Sequence, residues 1–163
     1  MADTARASTR DGDVIVAGFD EDGWSPQGPV TELSEHHAWD FLRRSSIGRL
    51  AVSVDNKPAI FPVDFYCDGK SILFRTSKGT KLSDLIANDA VAFEADEHTT
   101  RESVSVIVEG NAHIVTDEAE TLRADKSSLP PWIPIAVPVY VRILPTAIHG
   151  RRFTRAIIKA HVD

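Results

Sequence analysis

The amino-acid sequence predicts a mainly β protein, a six-stranded antiparallel barrel with helices inserted between its strands. Three observations support this fold class. Apolar and polar residues alternate over several short segments, as they do in half-buried strands. Asp68-Gly69 separates two of these segments, and an Asp-Gly pair in that position indicates a tight hairpin. Apolar residues at helical spacing occur only in short stretches, so the helices are expected to be additions to the sheet.

Length and composition limit the possible classes of protein. The 163 residues suit one domain, and 42% hydrophobic with 26% charged residues is ordinary for a globular chain. The net charge of −6 argues against a nucleic-acid partner. No apolar run approaches the roughly 20 residues that cross a bilayer, and the first ten residues lack the apolar core of a secretory signal. We therefore expect a cytoplasmic protein with no membrane partner.

The first part of the chain differs from the rest in composition. Residues 1–30 are expected to be a peripheral segment, and residues 31–163 one domain. The apolar run 14–17 either pairs with a sheet edge or a partner subunit, or belongs to a partly disordered tail. The tail is favoured because acidic residues, Gly and Pro follow the run.

A helix is predicted to open at Thr31–Ser34, with Ser34 as its N-cap, and to end at Ile47-Gly48. His36 and His37 lie in this helix. They are expected to be exposed or packing side chains, and no metal site is predicted.

The strands follow in order from Gly48. Pro62 interrupts the second strand, and because proline cannot donate to a ladder, this strand lies at an edge, carries a bulge or exposes its backbone. Gly110 marks a bend or bulge, and the single cysteine, Cys67, is expected to be a passive thiol. The proline-rich segment 129–134 is not regular structure. The predicted strands are 49–54, 58–66, 71–76, 91–95, 103–115 and 138–144, and further helices are predicted at 80–87 and from Asp117.

The segment between the third strand and the next helix is the candidate anion site. Arg75 can donate two hydrogen bonds to a phosphate, and Lys81 adds a point charge. The free N–H groups of a helix start also attract anions, and Gly79 allows close approach or a positive φ. The hydroxyl donors are Thr76, Ser77 and Thr80. The alternative is a solvated helix cap without a ligand.

Several segments, taken together, resemble the pyridoxamine 5′-phosphate oxidase-like FMN-binding split-barrel family, in particular its small actinobacterial branch. The resemblance covers residues 31–153. It implies a split β-barrel and a homodimer with FMN at the interface, although some relatives use the deazaflavin F420. The matching segments are 47–51, 62–65, 68–69, 74–77, 79–82, 91–94 and 108–110.

The resemblance also implies roles for individual residues. One strand contacts the flavin ring mainly through its backbone, the turn after the next strand holds the phosphate, and a polar residue approaches the ring. The partner subunit contributes late residues. The implied cofactor-binding residues are Pro62, Val63, Asp64 and Phe65 for the ring, Arg75, Thr76, Ser77, Thr80 and Lys81 for the phosphate, Ser105 near the ring, and His149 and Arg151 from the partner.

The expected function is an FMN-dependent oxidoreductase that acts on an unidentified small substrate. Authentic pyridoxamine 5′-phosphate oxidases resemble this chain but carry a longer C-terminal segment for the substrate phosphate, which argues against vitamin B6 oxidation. Alternatives are an F420-dependent reductase and a non-catalytic flavin-binding module. No catalytic residue is assigned: His149 is an acid–base candidate or a packing residue, and Trp132 covers the ring or packs.

Overall fold

The computed structural model describes residues 8–10, 13–16, 30–126 and 137–154. These ranges contain nine strands and three helices, so the chain is mainly β, as predicted. The strands are β1 Ser8–Arg10, β2 Asp13–Val16, β3 Val30–Leu33, β4 Ile47–Val54, β5 Lys57–Cys67, β6 Ile72–Thr76, β7 Ala90–His98, β8 Glu102–Ile114 and β9 Val139–Thr154. The helices are α1 Glu35–Arg44, α2 Thr80–Ala87 and α3 Glu118–Asp125.

Strands β4 to β9 form a closed ring. Their order is β9-β6-β5-β4-β7-β8, and β8 pairs again with β9, with every pairing antiparallel. This ring confirms the predicted fold class. Its interior holds the aromatic core, in which the rings of Phe65 and Phe93 meet edge to face at 4.8 Å.

Helices α1 and α2 each bury one apolar face against this core. The buried residues of α1 are Ala38, Trp39, Phe41 and Leu42. Leu82 and Leu85 are the buried residues of α2. Cys67 is buried as well, and burial raises the pKa of its thiol to about 11, so it is protonated and unreactive at neutral pH.

The predicted bounds of α1 are wrong at both ends, although its cap is confirmed. Ser34 Oγ accepts a hydrogen bond from the His37 N–H at 3.3 Å, so the helix begins after Ser34. Thr31–Leu33 instead belongs to β3, because β9 offers its edge to residues 30–33. The helix ends at Arg44 because Ile47 already pairs with Asp64 in the sheet.

The favoured interpretation of the first segment as a tail is wrong for residues 8–10 and 13–16. These residues form β1 and β2, which pair with each other, and β2 pairs with β3. The alternative, in which the apolar run pairs with a sheet edge, is correct for Val14–Val16. The edge of β3 supplies the backbone partners that the composition did not reveal.

The last strand is longer than predicted. β9 continues from Val139 to Thr154, beyond the predicted end at residue 144. Pro145 stands opposite Gly110 at a β-bulge, where an added Cβ on Gly110 would lie 2.2 Å from the Leu144 carbonyl oxygen. The bulge therefore accommodates the proline without ending the strand. The proline-rich segment 129–134, with Trp132, lies outside the described residues.

Helix α3 is anchored by a network around Arg142 on β9. Asp117 caps the helix as predicted, with its Oδ2 accepting from the Glu120 N–H at 2.8 Å. Arg142 Nε donates to Glu120 Oε1 at 2.6 Å, and its Nη1 donates to Ser71 Oγ at 2.6 Å and to Asp68 Oδ2 at 3.3 Å. None of the helices in the described part of the chain is long and apolar enough to cross a membrane.

Candidate functional site

The strand that carries Pro62 has an open edge. From Lys57 to Asp64, β5 pairs with β4, whereas β6 pairs only with Phe65–Cys67. The Phe65 N–H donates to the Ser46 carbonyl, so by alternation the backbone groups of Pro62 point away from β4. The sequence analysis explained Pro62 by an edge position, a bulge or an exposed backbone. In the described part of the chain, Pro62 occupies an edge position.

The candidate anion site, residues 75–81, lies beside this edge. We call it the anion turn. Arg75 is the penultimate residue of β6, and α2 begins at Thr80 after the N-cap residue Gly79, which makes no side-chain cap hydrogen bond. Gly79 has extended backbone, and an added Cβ would meet nothing within 4 Å, so neither a positive φ nor crowding requires glycine here. Ser77 and Thr80 are exposed.

Lys81 is the more buried of the two lysines in the anion turn. Its side chain is half-buried, and its Nζ lies 5.3 Å from the centroid of the Phe61 ring. Burial lowers the pKa of Lys81, while Asp64 acts in the opposite direction. No carboxylate of the described residues lies within 4 Å of Lys81 Nζ. The ammonium is thus partly desolvated without a contact ion pair.

Asp64 is the acidic member of this site. It precedes the Phe65–Phe74 pair, so it lies next to Arg75 across β5 and β6. Burial raises the pKa of Asp64, and the charges of Arg75 and Lys81 oppose that rise without cancelling it. The structure therefore places Asp64, Arg75 and Lys81 close together. The predicted phosphate site requires two of these residues, the cations Arg75 and Lys81, to be neighbours.

Three other predicted site residues meet in a second place. Ser105, His149 and Arg151 line a groove of about 390 Å³ on the outer surface of β8 and β9. Ser105 is the register partner of Arg151, and Ile107 is that of His149. Glu32 and Leu33 of β3 form one wall, with Glu32 opposite Arg151.

The two groups lie on different parts of the barrel surface. Pro62, Arg49, Glu94, Ile107 and His149 are successive register partners across five strands. Counted through β4, β7 and β8, Pro62 and His149 are four strand spacings apart, about 19 Å around the sheet. A single chain does not bring all the predicted cofactor-binding residues around one small ligand.

Three predicted site residues point into the protein. Val63 and Phe65 are buried in the core, and Thr76 is buried with its Oγ1 donating to the Ser77 carbonyl at 3.3 Å. The alternation that directs the Phe65 N–H to the Ser46 carbonyl also directs the backbone groups of Val63 towards β4, so the open edge is formed by the backbone of the residues that alternate with them, such as Pro62 and Asp64.

Sequence reasoning missed three features of these surfaces. Phe61 lies under Lys81, and Glu32 reaches the groove from a stretch that was expected to be helical. Arg49 forms an ion pair with Glu94 at 2.7 Å and also bonds Asp96. The strand alternation that places Arg49, Glu94 and Asp96 on the outer face was a usable signal, whereas the fold of β3 onto β9 had none.

Comparisons with known proteins agree with this architecture. A profile of the family described as pyridoxamine 5′-phosphate oxidase matches residues 34–152. An uncharacterised protein of Mycobacterium tuberculosis is 31% identical over 137 residues, which cover 78% of this chain and 90% of the relative. The family match begins after β3, so β1, β2 and β3 precede the matched region.

Two solved structures are also similar. A Corynebacterium glutamicum protein described as a pyridoxamine 5′-phosphate oxidase is 41% identical with a TM-score of 0.74, and the match covers 79% of this chain and 96% of that one. The FAD-binding protein of Mycobacterium smegmatis is 43% identical with a TM-score of 0.68, and the match covers 77% and 99% respectively. With the profile spanning most of its barrel, this chain belongs to the pyridoxamine 5′-phosphate oxidase family.

Proposed function

We propose that this protein is a flavin-binding oxidoreductase that holds FMN at the interface of a homodimer and acts on a small organic substrate. The observation that carries the proposal is the half-buried ammonium of Lys81, which lies beside Arg75 and Asp64 without a contact ion pair among the described residues. A partly desolvated cation in this state is stabilised by an anionic ligand.

The anion turn fits the phosphate of FMN. Arg75 presents a planar guanidinium that matches two phosphate oxygens, and Lys81 supplies a second charge. The start of α2 has no side-chain cap, so its backbone N–H groups remain available to an anion. The exposed hydroxyls of Ser77 and Thr80 lie in the same turn.

The open edge of β5 fits the polar rim of a flavin ring. Its backbone donors and acceptors lack a strand partner among the described residues beside Pro62, and a heterocycle with carbonyl and N–H groups can satisfy them. When bound, a flavin supplies hydride or electron transfer. The chain itself holds the phosphate and orients the ring, and His149 is the candidate group for proton transfer to a substrate.

A dimer explains why the predicted residues form two groups. The outer face of β4, β5 and β8 exposes Ile47, Ile60 and Ile107, with 50%, 67% and 43% of their surfaces accessible. Exposed isoleucines around an ion pair such as Arg49–Glu94 are typical of a surface covered by a partner. In a homodimer, the groove of one protomer, with its Ser105, His149 and Arg151, can complete the anion turn of the other.

Other flavins are distinguishable alternatives. The M. smegmatis relative is named as FAD-binding, so FAD is a second candidate. A deazaflavin of the F420 type carries a long anionic tail that needs a basic groove, and the groove here contains Glu32 and Glu109. These two carboxylates favour FMN over F420.

The test is flavin binding followed by analytical ultracentrifugation with detection at the flavin absorbance band. The expected result is one flavin-bearing species with about twice the 17.9 kDa mass of the chain. The double variant Arg75→Ala/Lys81→Ala should lose FMN affinity by at least about a hundredfold, since each hydrogen bond to a charged group contributes about 1.5–3 kcal/mol.

The matched control is Lys57→Ala/Lys70→Ala, which removes two exposed lysines outside the anion turn and should leave FMN affinity unchanged. Circular dichroism confirms that each variant is folded. A folded Arg75→Ala/Lys81→Ala protein with wild-type FMN affinity would overturn the phosphate assignment, and flavin that sediments with a monomer would overturn the shared site.

A further inference from the structure

We propose that Asp64 is a specificity-determining residue of the anion turn, which takes up a proton when a phosphate dianion binds between Arg75 and Lys81. The inference rests on the proposed function and concerns the charge state of that site. It identifies the ligand class as a phosphate monoester, as in FMN, and links its affinity to pH.

Asp64 lies beside the space between Arg75 and Lys81 in which the proposed phosphate binds. Asp64 lies on the outer face of β5, with Ile47 opposite it on β4 and Arg75 as its next neighbour on β6. The β5–β6 register ends at the Phe65–Phe74 pair, and Asp64 and Arg75 are the next residues on the two strands, near enough for the charge of Arg75 to act on Asp64. An anion that reaches Arg75 therefore comes close to the Asp64 carboxyl group.

The charged groups around Asp64 come from three elements. Arg75 faces it from β6 and Lys81 from α2, and both interact with it electrostatically. On β4, Arg49 stands two residues beyond Ile47, but Glu94 and Asp96 already bind its guanidinium. Without a ligand, the Asp64 carboxylate faces two cations.

Binding of a phosphate dianion reverses this balance. The two negative charges of the ligand neutralise Arg75 and Lys81, and they repel an ionised carboxylate at short range. Burial already raises the pKa of Asp64, so removal of the opposing cationic field raises it further. The carboxyl group then takes one proton from solvent, and as a neutral acid it can donate a hydrogen bond to a phosphate oxygen.

The sign of the pH dependence follows from linkage. Because the pKa of Asp64 is higher in the complex than in the free protein, FMN affinity is highest at low pH and falls as the pH rises between the two values. The second ionisation of the phosphate, near pH 6, also affects binding. That contribution belongs to the ligand and is common to wild-type and variant proteins.

The experiment measures the dissociation constant of FMN between pH 5 and pH 9 by fluorescence titration for the wild-type protein and Asp64→Asn. The asparagine variant should bind FMN about tenfold more tightly at pH 8, a difference that converts to about 1.4 kcal/mol, and the two affinities should converge towards pH 5. Riboflavin, which lacks the phosphate, should bind both proteins with no such pH-dependent ratio.

Two controls make the test specific. Asp55→Asn makes the same charge change in the exposed β4–β5 turn and should reproduce the wild-type profile. Calorimetry in two buffers of different ionisation enthalpy counts protons directly, and wild-type protein should take up more protons per FMN than Asp64→Asn. If Asp64→Asn does not fold, Asp64→Glu replaces it and should retain the pH dependence.

The outcomes separate this inference from the function it rests on. Tight FMN binding with identical pH profiles in wild-type and Asp64→Asn proteins would overturn the role of Asp64 and leave the flavin site intact. Weaker FMN binding in Asp64→Asn at pH 8 would do the same. An absence of FMN binding to wild-type protein at every pH would overturn the proposed function itself.

Discussion

Two aspartates of the β5–β6 hairpin, Asp64 within β5 and Asp68 in the turn, have pKa values shifted in opposite directions. At Asp68, burial raises the pKa, but hydrogen bonds from the Lys70 and Ser71 N–H groups, from Ser71 Oγ and from Arg142 outweigh it, so the pKa lies below its usual range. At Asp64, burial also raises the pKa, and nearby cations do not reverse the shift.

The cations near these two aspartates, Arg142 and Lys81, differ in how many acceptors they contact. Arg142 donates to three oxygen acceptors, one each from Glu120, Ser71 and Asp68. Lys81 makes a cation–π contact with Phe61 and has no contact carboxylate within the described ranges. The difference teaches that the first cluster is satisfied by contacts within the chain and stabilises the fold, whereas the second has the features of a binding site, as our proposal requires.

The largest effect should come from breaking the complete cluster. Arg142→Met leaves Asp68 and Glu120 without their cation, so the free energy of unfolding should fall by about 2–3 kcal/mol. Urea denaturation measures this change. Arg123→Met, on the exposed side of α3, is the matched control and should change stability by less than about 0.5 kcal/mol. Equal losses in the two variants would remove the distinction between the clusters.

A smaller effect is expected from pH at Asp68. Because its folded-state pKa is lowered, its contribution to stability is present above the usual aspartate value of about 3.9 and is lost as the pH falls through the folded-state pKa. Asp68→Asn should therefore lose less stability than wild type on acidification below about pH 5. Since the side chain is 40% exposed, the difference should stay below about 1 kcal/mol.

The smallest effect on stability is expected at Lys81. Lys81→Met replaces a partly desolvated ammonium with an apolar side chain that can contact the Phe61 ring, so the unfolding free energy should change by less than about 0.5 kcal/mol or increase. FMN affinity should fall in the same variant. A destabilisation as large as that of Arg142→Met would show that Lys81 has a structural role.

Local signals predicted much of the fold. The Asp68-Gly69 turn, the N-caps Ser34 and Asp117 and the anion turn all depend on residues close in sequence, and the structure contains the turn and both caps. By contrast, β3 and the second half of β9 exist because distant strands supply their hydrogen-bond partners. Pairing of this kind overrides local propensity and leaves no local signal.

The candidate site also combines contacts that are local in sequence with contacts between distant strands. Arg75 and Lys81 are close in sequence, so one turn was enough to predict their proximity. Asp64 reaches them through the β5–β6 pairing, and its balance of burial and charge depends on three-dimensional contacts. Glu32 lines the groove only because β3 pairs with β9. The local sequence had predicted that this stretch of β3 opens a helix.

Strand β9 has a consequence for how the protein is made. It is the last of the described strands to leave the ribosome, yet it pairs with β3, β6 and β8 and closes the ring. The earlier strands must therefore wait with unpaired edges until β9 emerges, and the many contacts distant in sequence predict slow folding. During synthesis, this interval is when the nascent barrel is most exposed to strand mispairing and to capture by chaperones.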